Sequence, residues 1–438
     1  MKYILKNISL ALLILTILSG GVMGQVPIPA KPQSTPLLLK GATLHIGNGQ
    51  VIENGVIGFA EGKITTVGQS ASGINEADYT VIDVAGKHIY PGFILPNTQL
   101  GISEVSSVRA MSDQAETGDF NPNVRSIIAY NTDSENIPAF RFNGILLAEP
   151  TPVGGIISGT STIVELDAWN WEDAAHTTDV AIHMNWPGRL RGNFDYATYT
   201  FSYVKNEKYD ESVQGIEKLF NDVKAYRESP SKIKNLKLES MLGLFDGTKA
   251  LILHSDMAKG VVESVKFAQA QGVKRIAVVS GQDVVVVADF LAENKIPVIV
   301  PALHDTPNRA DYDYDIAYKL ASVLSAKGIK VSLSHTGMLG NSRNLPFYAG
   351  TAVAHGMSKE DALKMITSNT AELFGIQDRV GTLEKGKDAT LIVSEGDALD
   401  MRTNILSHAF IRGKQITLEG RQQMLFKKYS EKYGHTKE

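Results

Sequence analysis

In the second half of the chain, apolar β-branched runs alternate with amphipathic stretches. KALILHSD, KRIAVVSG, IPVIVPALHD and IKVSLSHTG are separated by helix-length segments such as MAKGVVESVKFAQAQG and DVVVVADFLAENK. Continuous apolar runs, each followed by an amphipathic segment, predict buried parallel strands covered by helices. A (β/α)8 barrel and a doubly wound sheet both satisfy that pattern. No glycine-rich phosphate loop follows any of these strands, which disfavours a nucleotide-binding open sheet. The chain ends read differently. LLLKGATLHIGNGQVIENGVIGFAEGKITTVG, from Leu37 to Gly68, is a series of short alternating strands broken by glycine, and ADYTVIDVAGKHIYPGFI continues it. VGTLEKGKDATLIVSEGDALD and SHAFIRGKQI repeat that hairpin texture near the C-terminus, so both ends are expected to build one small sandwich around the central domain. Residues 105–240 are less regular: GGIISGTSTIVELDAWNWEDA is β-rich and SVQGIEKLFNDVKAYRES helical. A β-rich insertion around 145–190 is the expectation.

Composition narrows the class. With 438 residues, 43% of them hydrophobic, the chain can bury a large core. A formal net charge of -4 leaves no basic footprint for nucleic acid. The chain has no cysteine, so disulfides, thiolate catalysis and cysteine-held metals are excluded, and any metal must rest on His, carboxylate or amide oxygen. Lys2 and Lys6 precede an apolar run from Ile8 to Leu18, followed by Ser19-Gly20-Gly21 and Gly24. This is the order of a secretory signal peptide, with cleavage expected after Gly24. The run is shorter than the roughly 20 residues a membrane span needs. The mature protein is therefore expected in the periplasm or secreted, with no membrane span. Residues 25–36 are Pro-rich and read as a linker.

Several stretches together resemble the amidohydrolase superfamily, and within it the imidazolonepropionase-like branch. VIDVAGKHIYPGFI resembles the entry to the first barrel strand, and HSDMAKGVVESVKFAQAQGVK the fifth strand and its helix. LPFYAGTAVAHGMSKEDALKMITSNTAELFGIQDRVGTLEKGKDATLIV resembles the last helices and the return to the sandwich. The resemblance implies a distorted (β/α)8 TIM barrel flanked by a β-sandwich from both chain ends. The sandwich would take residues 37–90 and 376–425, the barrel 91–375, and a tail 426–438.

In that family one or two metal ions, usually Zn2+, sit at the C-terminal mouth of the barrel. They are held by two His after strand 1, in some members a carboxylated Lys or a Glu on strand 4, a His on each of strands 5 and 6, and an Asp after strand 8. Such a metal lowers the pKa of a bound water so that it attacks the substrate, and the Asp carries the proton. Here the two strand 1 slots hold Asn97 and Gln99, preceded by Leu95 in the Asp slot. A carboxamide is a weak neutral donor for a transition metal. The strand 5 slot keeps His254, strand 6 falls at Ser280-Gly281, and strand 8 falls within Ser334-His335-Thr336, where the carboxylate is missing. The conventional metal site is thus degenerate, and the cofactor expectation is one divalent metal or none.

His254, His304 and His335 each follow an apolar strand end, and a rebuilt metal site made of the three is one expectation. The candidate barrel-mouth set is Asn97, Gln99, His254, His335 and Thr336. Arg309, in the polar loop HDTPNRADYDYD, is the candidate clamp for a substrate carboxylate, although Asp side chains of that loop would equally cap the helix that follows. Asp256 is either a water-activating carboxylate or the N-cap of its helix. Trp169, Trp171 and Trp186 either line a pocket or form a small core. No G-x-S-x-G nucleophile elbow is present. Two readings remain open. One is an exported hydrolase of carbon–nitrogen bonds in a cyclic amide, a dipeptide-like or another small polar substrate. The other is a catalytically inactive, amidohydrolase-like binding or assembly module that partners an active relative, as an oligomer or with another chain.

Overall fold

The buried apolar runs become strands of one nearly closed barrel in the computed structural model, which describes residues 28–69, 75–105, 107–228 and 233–435. In chain order they are β1 Phe93–Thr98, β2 Ile145–Pro150, β3 Ile157–Glu165, β4 Ala175–Asn185, β5 Ala250–His254, β6 Ile276–Val279, β7 Val298–Val300 and β8 Val331–Leu333. They lie in that same order around the sheet. All neighbouring pairs are parallel except those of β3, which runs antiparallel to both β2 and β4. Chain length explains the reversal. Only residues 151–156 join β2 to β3, and a parallel crossover needs a dozen or more.

The β-rich stretch expected as an insertion around 145–190 therefore supplies three barrel strands, and every residue of β2 and β3 is buried. Its strands looked foreign to the barrel because they lack the intervening helices that mark the others. The projecting element comes just after, as a separate hairpin of Leu190–Asp195 and Thr200–Lys205.

Inward-facing Ile94, Leu147, Ile163, Ala181, Ile252, Ala277 and Ile299 fill the barrel together with Ala371, Phe374 and Val380, as expected of a packed core rather than a pore. The outward faces pack on helices such as Ala258–Gln271, Ile316–Ala326 and Leu345–Ala354. Between β8 and β1 the seam is held by a side chain. The buried Ser334 hydroxyl donates to Pro96 O at 2.8 Å or Asn97 O at 3.0 Å.

A second eight-stranded sheet is drawn from both chain ends. Leu37–His45 lies at its centre, with Val51–Ala60 on one side and Thr80–Asp83 and His88–Pro91 on the other. Leu391–Ser394 pairs antiparallel with His88–Pro91, and Leu406–Ile411 follows it. Leu39, Leu44, Ile57, Phe59, Ile89, Leu391 and Phe410 form the core of this sheet. The C-terminal residues 421–433, which straddle the expected start of the tail, form a helix. The proposed signal peptide lies outside the described residues. Among the described residues no helix is long and apolar enough to cross a membrane.

An ionic knot joins sheet and barrel. Asp388, almost fully buried, meets Lys63 of the terminal sheet at 2.5 Å, His176 of β4 at 3.2 Å and Arg379 at 3.0 Å. Burial alone would raise the Asp388 carboxyl. The bonds from His176 and Lys63 and the Arg379 charge override it and hold the group below the usual carboxylate range. A depressed carboxyl stabilises the fold above its unfolded value of about 3.9 and loses that contribution as pH falls through the folded value. Asp388→Asn is expected to lower the unfolding free energy at pH 7 by roughly 2 kcal/mol, less than for a wholly buried pair because Lys63 and Arg379 are partly exposed. Urea titrations at pH 7 and pH 3 should show a smaller acid loss in the variant than in the parent chain.

Candidate functional site

The mouth is organised by an irregularity in β1. Leu95 faces Ala148 of β2, but the next aligned pair is Thr98 with Pro150, so β1 carries one extra residue at Pro96-Asn97, a bulge. Asn97 adopts a left-handed φ of 49°, which asparagine tolerates better than most side chains. The bulge turns the Asn97 N–H onto Glu149 Oε2 at 2.9 Å.

Glu149 ends β2 with no exposed surface. Its Oε1 accepts from the Ser161 hydroxyl of β3 at 2.5 Å and lies 2.9 Å from His183 Nε2 of β4. His183 Nε2 is also 3.0 Å from Ser161 Oγ. On its other side, His183 Nδ1 lies 2.9 Å from His254 Nε2. The contact follows from register. His183 pairs with Ile252 on β5, so His254 is its diagonal neighbour on the same face, within reach of a long side chain. One hydrogen-bonded chain, Glu149–His183–His254, thus links β2, β4 and β5, with β1 and β3 contributing donors. Burial, together with the neighbouring His183, lowers His254 to about 3, so the ring is neutral at pH 7.

Above this chain opens a cavity of about 790 Å³ lined by Asn97, Gln99, Asn185, Trp186, His254 and Thr336, among others. Asn185 uses its NH2 on Gly155 O and Ser158 Oγ. The carboxamides of Asn97 and Gln99 make no side-chain hydrogen bond among the described residues; Asn97 is buried and Gln99 half-buried, and both line the cavity. The hairpin contributes Leu190 and Tyr203 to the wall, and Arg189, paired with Glu263 at 2.8 Å, stands at its base.

Of the residues singled out from sequence, Asn97, Gln99, His254 and Thr336 meet at this cavity. His304 and His335 do not join His254. His304 Nε2 bonds Thr351 Oγ1 at 2.7 Å, and both rings pack on Tyr348, His304 edge-on and His335 stacked. Arg309 is exposed and bound to Asp311 two residues away, at 2.9 Å, away from the cavity lining. Asp256 does not cap its helix, since Met257 is the N-cap of Ala258–Gln271, whereas Asp315 does occupy the N-cap of Ile316–Ala326 but makes no side-chain capping bond there. Asp315 instead pairs with Lys319 at 2.8 Å. Asp256 stands at the cavity rim, its carboxyl raised by desolvation and by Asp283. Trp186 alone of the three tryptophans lines the cavity, packed on Phe267, while Trp169 is exposed.

Sequence reasoning missed Glu149, Ser161 and His183. ILLAEP ends a wholly apolar run in a carboxylate, and VAIHMN sets an imidazole inside one. Both were signals of the same kind as LILHSD.

These residues do not fit the metal that the superfamily usually carries. Among the described residues no three of His, Asp and Glu are gathered to hold an ion. His254 Nε2 is committed to His183, Glu149 is enclosed by three donors, and carboxamides occupy both strand 1 positions. Nitrogen and carboxylate donors converging on one point are the requirement for zinc, and this set diverges.

A barrel opened at the C-terminal ends of its strands, with a sheet from both chain ends packed beside it, is the composite architecture of metal-dependent amide hydrolases. Comparison with known proteins finds similarity to that class. Residues 237–416 match the amidohydrolase family. A segment of 168 residues is 26% identical to imidazolonepropionase of Flavobacterium psychrophilum, covering 36% of this chain and only 38% of that protein. An amidohydrolase from Thermotoga maritima superposes with a TM-score of 0.75 at 22% identity, over 87% of this chain and 99% of the other. Molinate hydrolase does so at 0.54 and 14% identity, over 88% and 95%. A prolidase solved with N-methylphosphonate-L-proline gives 0.51 and 14%, over 87% and 100%. At these identities the structural likenesses establish the fold. The family match spans residues 237–416, less than half of the chain, and over that span the chain is similar to the amidohydrolase family.

The bulge gives a direct test of the geometry. Asn97→Gly should keep stability within about 0.5 kcal/mol of the parent, whereas Asn97→Val, forced to a positive φ, should lose roughly 2 kcal/mol. Urea unfolding of the two variants distinguishes a backbone role for the bulge from a purely side-chain one.

Proposed function

We propose that this is an exported member of the superfamily that binds a small, neutral amide-type molecule at the barrel mouth without conventional metal-assisted hydrolysis. The observation that carries the reading is the pair of unpartnered carboxamides, Asn97 and Gln99, beside His254 in the cavity. Polar groups left open in a concave site invite partners from a ligand. A carboxamide offers donor and acceptor side by side, the complement of an amide, imide or ureide. The apolar wall of Trp186, Pro187, Leu190, Val279 and Pro301 suits a compact, uncharged body.

A second reading, hydrolysis of a carbon–nitrogen bond in such a molecule, is favoured by one feature. The Glu149–His183–His254 chain ends at the cavity, as a base held by a buried carboxylate would. Against it, an imidazole lowered to about 3 is a weak base at neutral pH, and the strand 8 slot within Ser334-His335-Thr336 holds no carboxylate.

Three measurements test these readings. Expressed with its leader in a Gram-negative host, the protein should be exported with Gln25 as its new N-terminus; an N-terminus at Met1 in the cytoplasmic fraction rejects export. Elemental mass spectrometry after dialysis should find well below one equivalent of zinc, manganese or iron. A thermal-shift panel of succinimide, hydantoin, glutarimide and small dipeptides should give stabilising hits, weakened about tenfold in Gln99→Ala, the loss of roughly one hydrogen bond. Turnover of a hit with stoichiometric metal would replace the binding reading with the hydrolytic one.

A further inference from the structure

All ring nitrogens of the Glu149–His183–His254 chain but one are engaged inside the protein. The exception, His254 Nδ1, has no partner among the described residues and is not sealed from the cavity. What that atom offers a ligand is decided at the far end of the chain. Glu149 accepts the Asn97 N–H on Oε2 and the Ser161 O–H on Oε1. His183 Nε2 faces Glu149 Oε1 and the Ser161 oxygen, whose only proton is already given to Glu149. Two acceptors therefore surround Nε2, and it must carry a hydrogen. With His183 carrying that one hydrogen, its Nδ1 is bare and accepts the His254 Nε2–H at 2.9 Å. A neutral His254 bonded through Nε2–H presents Nδ1 as a lone pair.

We propose that the buried Glu149–His183 pair locks His254 in the tautomer whose Nδ1 is a hydrogen-bond acceptor, so that the mouth selects ligands presenting a free N–H. The selectivity rests on the small-amide reading above; the tautomer lock does not. With His254 as acceptor and the carboxamides of Asn97 and Gln99 nearby, an unsubstituted imide or ureide N–H has a matched partner. An N-alkylated analogue places a methyl group against the lone pair and leaves it unpaired. Sites built around such a bond reject the analogue lacking the donor far more strongly than pockets that discriminate by size. Glu149, Ser161 and His183 are positioning residues, acting through His254.

The lock is tested on the full mature chain without any ligand. Ring-15N-histidine protein at pH 7.5 is examined by long-range 1H–15N correlation, with the His254 signals identified by their loss in His254→Gln. The expected result is an unprotonated, downfield Nδ1 and a protonated Nε2 on His254. In Glu149→Gln the introduced NH2 competes as a donor toward His183, and the opposite tautomer of His254 should become populated. A protonated Nδ1 in the parent protein, whether set by a proton on Glu149 or by an imidazolium at His183, overturns the lock. Binding then tests the selectivity: succinimide should bind at least tenfold more tightly than N-methylsuccinimide, and equal affinities overturn it. If neither imide binds, the small-amide reading and the selectivity built on it fail, while the spectrum still decides the lock.

Discussion

The carboxylate of Glu149 is the constraint on which the mouth depends. A charge with no exposed surface is costly unless every lone pair finds a donor, and here donors arrive from three other strands: the Asn97 N–H from β1, the Ser161 hydroxyl from β3 and the His183 ring from β4. Each requirement shapes the local fold. The β1 bulge and the left-handed Asn97 turn a backbone N–H inward that a regular strand would direct along the ladder. The antiparallel β3 brings Ser161 to the same point. The carboxylate thus does for one side of the barrel what converging ligands around a metal do in a conventional relative, tying separate strand ends together through a common centre.

That substitution has chemical consequences. A metal centre leaves an open coordination position and a nucleophilic water. A saturated hydrogen-bond network leaves only its last unfilled atom, which here belongs to His254. On the binding reading proposed above, the chemistry offered to a ligand is directional and weak, a matter of donors and acceptors rather than of Lewis acidity. Asn97 and Gln99 extend the same language, since they place carboxamides where imidazoles would otherwise converge.

How much of this was legible in the sequence depended on helices. The β5 to β8 region was readable because each apolar run is followed by an amphipathic segment, and His254 at the end of LILH could be assigned to a strand end directly. The terminal sheet was equally plain from its glycine-broken alternation. Residues 145–190 were not, because β2, β3 and β4 follow one another with connections too short for crossover helices, and the stretch reads like a free-standing β unit. Glu149 and His183 were thereby hidden, since a residue's position at the mouth has meaning only once its strand is counted into the barrel. His304 and His335 show the converse limit. Their strand ends were placed correctly, but the direction of a side chain is fixed by tertiary neighbours that no periodicity reports.

Those neighbours explain why the three histidines part. His254 is drawn toward β4 by His183, the one partner that continues the bond chain from Glu149. His304 and His335 are drawn the other way, onto the Tyr348 ring of the helix Leu345–Ala354, with Thr351 of that helix bonding His304. The mouth is thus divided between a hydrogen-bonded half from β1 to β5 and an aromatic half at β7 and β8, joined at the seam by Ser334. Bringing the three imidazoles to one ion would require breaking the Glu149 chain and unstacking Tyr348 together. Each loss alone leaves buried polar or aromatic groups without partners, so both costs would have to be met before the three imidazoles could share one ion.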